Sequence, residues 1–458
     1  MNKLLFTIVI LACLCFSAGF PQNAAADVPY RLIQDDSSLR ASLKDSWLAE
    51  TPARVQSKQA EYHTLQGGAR IQVRCESGPD EFGIVFAREF KNPASAGSSW
   101  PGWAQGSWIL TRKKSDGSPV RIRTFLRSDP YVYVQFRPFT AEKCQMDVVV
   151  YDAYLVRSMP LAVPFDRLLA LPVNEVLALA GAMFPAKYFD SRPNMYRDTR
   201  DFIAAVRSKL PGLHYTDDGA IDENGRYVYI NSLEYQNPAE PAKTGGLNCS
   251  GFAKWIVDGI LKPVTGESLP INPLKQTFNG QISSFTQIWD SILDPLFGLN
   301  WIRNLAASAG EILRSPSFSA LEEFEVRSWP FSQIITRQGS NTVVIPYPGF
   351  IAEAGFGIEG LQPLLYTLAI NEPGRIYLAA VNDEIGQPVT ADNPRGLPRI
   401  RRYYHVAVLI PYFDENNAFQ VTVFESAAET SFTAFRNRYP GQFVNLVRIP
   451  IDGRFDPD

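Results

Sequence analysis

Between residues 69 and 156, apolar and polar positions alternate or crowd into short runs rich in β-branched and aromatic residues. The runs are "ARIQVRC", "FGIVFARE", "SWILTRK", "VRIRTFL", "YVYVQFR" and "DVVVYDAYLV", and a period of two over such short lengths is the mark of strands. "SDGS" at 115–118 predicts a hairpin turn, because Gly117 accepts a positive φ without steric cost. A polar helical stretch near Ser37–Gln66 precedes these strands, and together they predict a small β-rich barrel or sandwich over residues 27–165. The period then changes. "FDRLLALPVNEVLALAGAMF" and "TRDFIAAVRSKL" read as helices, "DENGRYVYI" as a turn and a strand, and "GGLNCSGFAKWIVDGIL" as a helix stopping near Pro263. Residues 264 to about 345 are helical and loop-rich. A helix at "EGLQPLLYTLAI", a strand at "GRIYLAAV", an arginine-rich loop and a hairpin close the chain. Helices followed by antiparallel strands predict an α+β unit over residues 166–458.

The first 26 residues change the setting. Lys3, the apolar run "LLFTIVILACLCF" and "AAA" before Asp27 read as a signal peptide, which predicts an exported chain in the periplasm, cell envelope or medium. A lipid-anchored end at Cys13 is the lesser alternative. No later stretch approaches about 20 uninterrupted apolar residues, so no transmembrane segment is expected in the mature chain. A net charge of −3 gives no case for nucleic acid or an anionic membrane as a bulk partner. Oligomeric state is not legible.

Removal of Cys13 and Cys15 with the signal leaves Cys75, Cys144 and Cys249. In an oxidising compartment an odd count leaves one thiol over. Cys75 and Cys144 lie on expected strands of the first unit and predict a disulfide, which leaves Cys249 free. The alternative is that all three are small buried apolar residues. Trp100, Trp103 and Trp108 sit in a Gly/Ser/Pro-rich stretch, where tryptophans either close a β-domain core or stack on sugar rings.

Asn248 is a good N-cap, its side-chain oxygen accepting from free first-turn N–H groups. Cys249 then falls in the first helical turn, where the positive end of the helix lowers a thiol pKa. Ser250 and Gly251 are small enough to admit a substrate, and Phe252, Ile256 and Ile260 repeat at helical spacing on a burying face. A rigid mount, a stabilised anion and open access are what a thiol nucleophile needs. It also needs a base, and the chain has three histidines: His63, His214 and His405. His405 opens the apolar strand "HVAVLIPY". A turn centred on Glu415 would set Glu425 directly opposite it, where a carboxylate can hold an imidazole tautomer. A one-residue slip would present Phe424 or Ser426 instead. With three scattered histidines and no close cysteine pair, no zinc site and no cofactor are expected.

These residues carry a resemblance. "NCSGFAKWI" resembles the nucleophile motif of the NlpC-type papain-like cysteine peptidases and the related CHAP amidases, usually Asp-Cys-Ser-Gly. "EPGRIYLAAV" resembles the strand before the family's histidine, "HVAVLI" its histidine strand, and the Glu425 strand its third polar position. "GRYVYINS" resembles the tyrosine-bearing strand before the nucleophile, with Tyr227 at the matching place. Asn248 and Arg375 stand where the family has aspartates. The interval from Cys249 to His405 exceeds the family's usual gap, so roughly 264–360 reads as a helical insertion, a wall or lid over the cleft.

The resemblance implies a papain-like NlpC-type catalytic domain that hydrolyses an amide in peptidoglycan stem peptides, without metal or cofactor. Cys249 would be nucleophile, His405 base and Glu425 its orienting partner. The Cys249 N–H and the Tyr227 hydroxyl would meet the oxyanion. In "PRGLPRIRR", the side chains of Arg395, Arg399, Arg401 and Arg402 would either hold the carboxylates of an acidic stem peptide or line a solvated loop. Other readings of the same residues are a thiol acyltransferase, an amidase on another substrate, and a non-catalytic envelope binding protein on this fold.

Overall fold

Alternation of buried and exposed residues builds the first sheet in this computed structural model, which describes residues 27–91, 98–190, 192–278, 294–313, 321–338, 341–386, 391–392 and 399–458. The signal peptide expected at 1–26, with Cys13 and Cys15, lies outside them. Two short helices, α1 (Ser37–Ser42) and α2 (Pro52–Gln56), come first, followed by strands β1 (Glu61–Thr64), β2 (Arg70–Ser77) and β3 (Glu81–Arg88). The expected helical stretch thus breaks into pieces and ends in a strand. A side hairpin, β4 (Phe90–Lys91) and β5 (Ser98–Ser99), leaves the sheet here. The sheet resumes with β6 (Trp108–Lys113), β7 (Pro119–Thr124), β8 (Val132–Pro138), β9 (Cys144–Val150) and β10 (Ala153–Leu161). Gly117 makes the β6–β7 turn at φ +72°.

Trp47, Phe82, Phe86, Trp108, Phe136 and Met146 fill one core on this sheet. Of the three neighbouring tryptophans, Trp108 is therefore a core residue, while half-buried Trp100 and Trp103 stack edge-on against Tyr62 and Phe90. Fully buried Arg40 ties α1 across the core, donating to the carbonyls of Leu168, Leu169 and Leu171 and pairing with Asp36 at 2.9 Å. Phe165, Leu168, Val176, Phe184 and Tyr188 belong to the same core, so the packing runs past residue 165 through helix α3 (Val173–Ala180).

The disulfide expected between Cys75 and Cys144 is not formed; both thiols are free. Cys75 is on β2 and Cys144 on β9, with β3, β6, β7 and β8 between them in the sheet order. A disulfide requires Cα atoms within about 7 Å, which neighbouring strands satisfy and these strands, paired to other partners, do not. Burial pushes the Cys144 thiol up to about 11 and that of half-buried Cys75 up as well.

Beyond helix α4 (Arg197–Lys209) a two-stranded ribbon, β11 (Ala220–Ile221) with β12 (Tyr227–Val228), leads to helix α5 (Cys249–Thr265). Helices α6 (Ile271–Leu274), α7 (Phe297–Ile312) and α8 (Leu321–Phe324) follow. The hairpin β13 (Gln333–Gln338) with β14 (Asn341–Pro346) then returns to the first sheet, pairing antiparallel with β10 through Ala153–Ile334 and Tyr154–Gln333. The stretch expected as an insertion is thus divided: α7 packs on α5 and the second sheet, while β13 and β14 extend the first.

The second sheet holds β15 (Phe356–Gly357) and, after helix α9 (Leu361–Asn371), β16 (Arg375–Gly386), β17 (Arg399–Phe413), β18 (Phe419–Glu425) and β19 (Ala428–Ser431). Helix α10 (Phe432–Arg438) precedes its last strand, β20 (Phe443–Pro450). The order is β15-β20-β16-β17-β18-β19, antiparallel throughout. Both faces are covered. Ile376, Leu378 and Ala380 pack with α5 and α7 in one core, and Tyr377, Ala379 and Val381 with α9 and α10 in another. Strands buried on both sides need apolar residues at successive positions, which is why "IYLAAV" carries no polar alternation. The fold is α+β. Among the described residues, no helix is long and apolar enough to cross a membrane.

Candidate active site

Helix α5 begins as its sequence requires. Asn248 is extended (φ −84°, ψ −174°), and its Oδ1 accepts from the Gly251 N–H at 2.7 Å, capping the first turn; Gly266 closes the other end in the left-handed region. Ser250 through Leu261 are all buried, a wider burial than the Phe252/Ile256/Ile260 face predicts. The helix lies between the second sheet, α7 and the C-terminal tail, whose Phe455 stacks edge-on against Trp255 with ring centroids 5.1 Å apart. Two contacts fix its reactive end. The Trp301 indole on α7 donates to the Ser250 carbonyl at 2.9 Å, and the Asn248 N–H donates to the Gly219 carbonyl at 3.0 Å.

One turn further in, Lys254 and Asp258 form an ion pair of 2.6 Å with side chains 0% and 3% exposed. Lys254 Nζ also donates to the Ile221 carbonyl at 2.8 Å, and Asp258 Oδ1 accepts from the Leu269 N–H at 2.9 Å. The pair therefore stitches α5 to the segments on either side of it. Lys254→Met strands the Asp258 carboxylate in the core and is expected to cost about 3–5 kcal/mol, measured as a shift in urea unfolding. Burial, the largest influence on Asp258, raises its pKa, and Lys254 opposes that rise. A raised carboxyl favours the folded state when protonated, so the deficit should shrink as pH falls and grow as it rises. An unfolding deficit independent of pH would refute this account.

The base arrives from β17. Between Val381–His405 and Asn382–Tyr403 the β16–β17 register shifts, leaving Tyr404 unpaired; such a bulge re-aims the side chains beside it. His405 Nε2 lies 2.7 Å from Glu425 Oε2. This leaves Nδ1 as the ring nitrogen that Glu425 does not engage, and Cys249 and His405 lie near enough for each to shift the other's titration, the thiol down and the imidazole up. The expected register is corrected. Val408 faces Phe424 and Leu409 faces Val423, so the hairpin is centred on Asn416, not Glu415. Glu425 stands two positions from the place directly opposite His405. A shift of two preserves the face, and the diagonal reach of a glutamate closes the gap.

Glu425 is 4% exposed, and its second oxygen accepts from Arg438 Nη1 at 2.5 Å. Burial is the largest influence on it and pushes its pKa up, but His405 and Arg438 together hold it below the usual value. Tyr439 lays its ring 5.6 Å from the His405 ring at 32°. Burial likewise works against the charged forms of the other two groups. In Cys249 it is outweighed by the His405 hydrogen bond and charge, the Val406 N–H and the Ser250 hydroxyl, which keep the thiol below its ordinary range. In His405 it is outweighed by the hydrogen bonds and charges of Cys249 and Glu425, which lift the imidazole to about 9.

The signs follow. The raised His405 contributes stability fully below its ordinary 6.5 and loses it as pH climbs through about 9. The depressed Cys249 contributes above its ordinary 9.0 and loses that as pH falls through its folded value. Above the lowered Cys249 value and below that of His405, thiolate and imidazolium coexist. Alkylation of Cys249 by iodoacetamide is therefore expected to set in below the ordinary thiol value and to rise again near pH 9, as His405 gives up its proton. A single step at the ordinary thiol value would contradict the ion pair.

The remaining expected residues fall on several elements. Tyr227 pairs with Ile221 and sits where a Cβ on Gly245 would come within 2.4 Å of its own Cβ. Its phenol is raised by burial and then by the charge of Asp458. Tyr215 is 59% exposed, and its phenol is raised by the hydrogen bond it donates to Asp217 Oδ1 at 3.0 Å, then by burial, by the Asp217 charge and, least, by Cys249. "LHYTDDG" before the glycines was a legible signal for this tyrosine. Arg401 and Arg402 are on strand β17 rather than in a loop. Arg401 donates to Asn382 Oδ1 at 2.8 Å and lies over Phe443, while Arg402 approaches Asp383 at 3.6 Å, so both already have partners. Arg399 opens the same strand, and its side chain, like all of Arg395, lies outside the described residues. Of the other histidines, His63 contacts Glu61 at 3.3 Å in the first sheet and His214 is exposed. Among the described residues no group of three or more His, Cys, Asp or Glu is placed to hold a metal ion. Arg438, Tyr439 and Trp301 had no motif to announce them.

A family model described as a domain of unknown function (DUF8515) matches residues 29–188. That segment takes in the first sheet through β10 and the packed stretch to Tyr188, and stops before Cys249, His405 and Glu425. No curated protein and no solved structure matches the chain.

Proposed function

We propose that this chain is an exported cysteine hydrolase that cleaves an amide bond in peptidoglycan stem peptides, on a papain-like catalytic unit of the NlpC type. The observation that supports the reading is the convergence of Cys249, His405 and Glu425: the sulfur at a capped helix start, the imidazole anchored to Glu425 at 2.7 Å, and thiol and imidazole each shifted by the other. Export rests on the amino-terminal sequence.

In this reading the Cys249 thiolate adds to the scissile carbonyl, and the carbonyl π electrons move to oxygen. First-turn N–H groups of an α-helix have no intrahelical partner, so the Cys249 N–H can receive that oxyanion. His405 then gives its proton to the leaving amine as the C–N bond breaks, producing a thioester. Neutral His405 next takes a proton from water, whose oxygen attacks the thioester; the thiolate leaves and the imidazolium is restored. Glu425 holds the tautomer and offsets the imidazolium charge throughout.

The test is mass spectrometry of soluble products after the mature protein meets purified peptidoglycan under reducing conditions. New amine-ended peptide fragments are expected, and their ends name the bond. Intact stem peptides after prolonged digestion would overturn the hydrolase reading.

A further inference from the structure

Arg438 is the outermost group in contact with the series, and it comes from a short helix apart from the strands that carry His405 and Glu425. Helix α10 is capped by Ser431, whose Oγ accepts from the Ala434 N–H at 3.1 Å, and is anchored by buried Phe435. Arg436 and Arg438 lie in its last turn, where cations suit the helix C-terminus. That short helix delivers two groups at once: the Arg438 guanidinium to Glu425 and the Tyr439 ring to His405.

The need for a second cation follows from the catalytic cycle. A carboxylate as enclosed as Glu425 keeps its charge only beside a positive partner. His405 supplies one while it is an imidazolium, but it becomes neutral on protonating the leaving amine. At that stage Glu425 would take up a proton and release the ring. Arginine cannot lose its charge, and it binds the oxygen that His405 does not use.

We propose that Arg438 is a positioning residue that keeps Glu425 ionised and aligned on His405 through both charge states of the imidazole. This rests on the reading of Cys249 and His405 as nucleophile and base. Arg438 also repels the imidazolium, but the carboxylate lies between the two cations and its shorter contact dominates.

The experiment needs no substrate. The full mature chain and its R438M, R438K, E425Q and E425Q/R438M variants are alkylated with neutral iodoacetamide from pH 4 to 10. The rate is read on the Cys249 peptide by mass spectrometry. Buried Cys144 in the same digest reports an intact fold by staying slow. In R438M the Cys249 midpoint is expected to rise by about one pH unit, in R438K to return toward wild type, and in E425Q/R438M to equal E425Q alone. An unchanged R438M midpoint would overturn the positioning role while leaving the nucleophile reading intact. A further rise in the double variant would overturn it too, since Arg438 would then act outside Glu425. A wild-type midpoint at the ordinary thiol value would overturn the Cys249–His405 reading itself.

Discussion

Cys249→Ala is expected to reduce release of amine-ended fragments by about 10⁴-fold or more, to the background of the untreated substrate. The reason lies in the division of labour at the site. Groups that act as a unit in nucleophilic catalysis lose nearly everything when one is removed, and in the proposed mechanism the sulfur forms the covalent intermediate. Cys249→Ser is expected to fail as well. A serine hydroxyl is far too weak an acid to form the ion pair that His405 stabilises in the thiol. Neither substitution should disturb the fold, because Cys249 is half-buried and its cap, Asn248, is untouched; such changes usually cost within about 1 kcal/mol. Circular dichroism and the urea midpoint check the fold, and product release checks the chemistry. If Cys249→Ala kept a tenth of the wild-type release, the sulfur would not be the nucleophile.

Gly251→Val is the second large effect, and it works through backbone placement. A Cβ at Gly251 would fall 1.9 Å from the Gly219 carbonyl oxygen and 2.9 Å from the Ala220 Cα. Neither is the end of a flexible side chain, so the helix start and the 217–221 segment must separate. That separation breaks the bond between the Asn248 N–H and Gly219 O, and loosens the reach of Asn248 Nδ2 to the Asp217 carbonyl at 3.3 Å. Overpacking of this kind costs about 1–3 kcal/mol, and a displacement of the sulfur by about 1 Å costs roughly 100-fold in rate. The expected result is a loss of about 100-fold in kcat/KM, with slower alkylation of Cys249 at neutral pH. Activity within twofold of wild type would show that the close approach does not set the position of the sulfur. Glycine is thus required here for a different reason from the one its sequence context offers, where it reads as room for substrate.

Part of this site was legible because it is local. An N-cap, a nucleophile and a following apolar run occupy consecutive residues, and short-range hydrogen bonding is enough to make them a helix start. The two apolar runs flanking "DENN" likewise make a hairpin on their own, and the parity of a strand puts His405 and Glu425 on one face whether its turn centres on residue 415 or 416. Parity tolerates that error; register does not, so the true pairing of Val408 with Phe424 needed the structure.

What depended on packing was misread or unseen. A disulfide between Cys75 and Cys144 is reasonable for two cysteines on strands of one unit, but sheet order is set by the whole set of strand pairings, and it separates them by four strands. The arginines before His405 look like a solvated or substrate-holding cluster, yet β16 recruits Arg401 and Arg402 into strand pairing, where Asn382 and Asp383 meet them. The stretch between Cys249 and His405 reads as one insertion, but its helix α7 braces the reactive turn through Trp301 and its hairpin completes the other sheet.

By itself, then, the order of residues determined the local chemistry of this protein: a capped helix carrying a thiol, a histidine on a strand, a glutamate of matching parity, and strands whose alternation announces them. Only the tertiary structure decided which groups meet. Arg438 reaches Glu425, Trp301 braces the start of α5, Lys254 and Asp258 pair in the core, and two cysteines stay apart. The reason is physical. Backbone hydrogen bonding and side-chain periodicity act over a few residues and leave a signature in order. Contacts between distant segments follow from how sheets and helices exclude water together, and no short window of sequence encodes that.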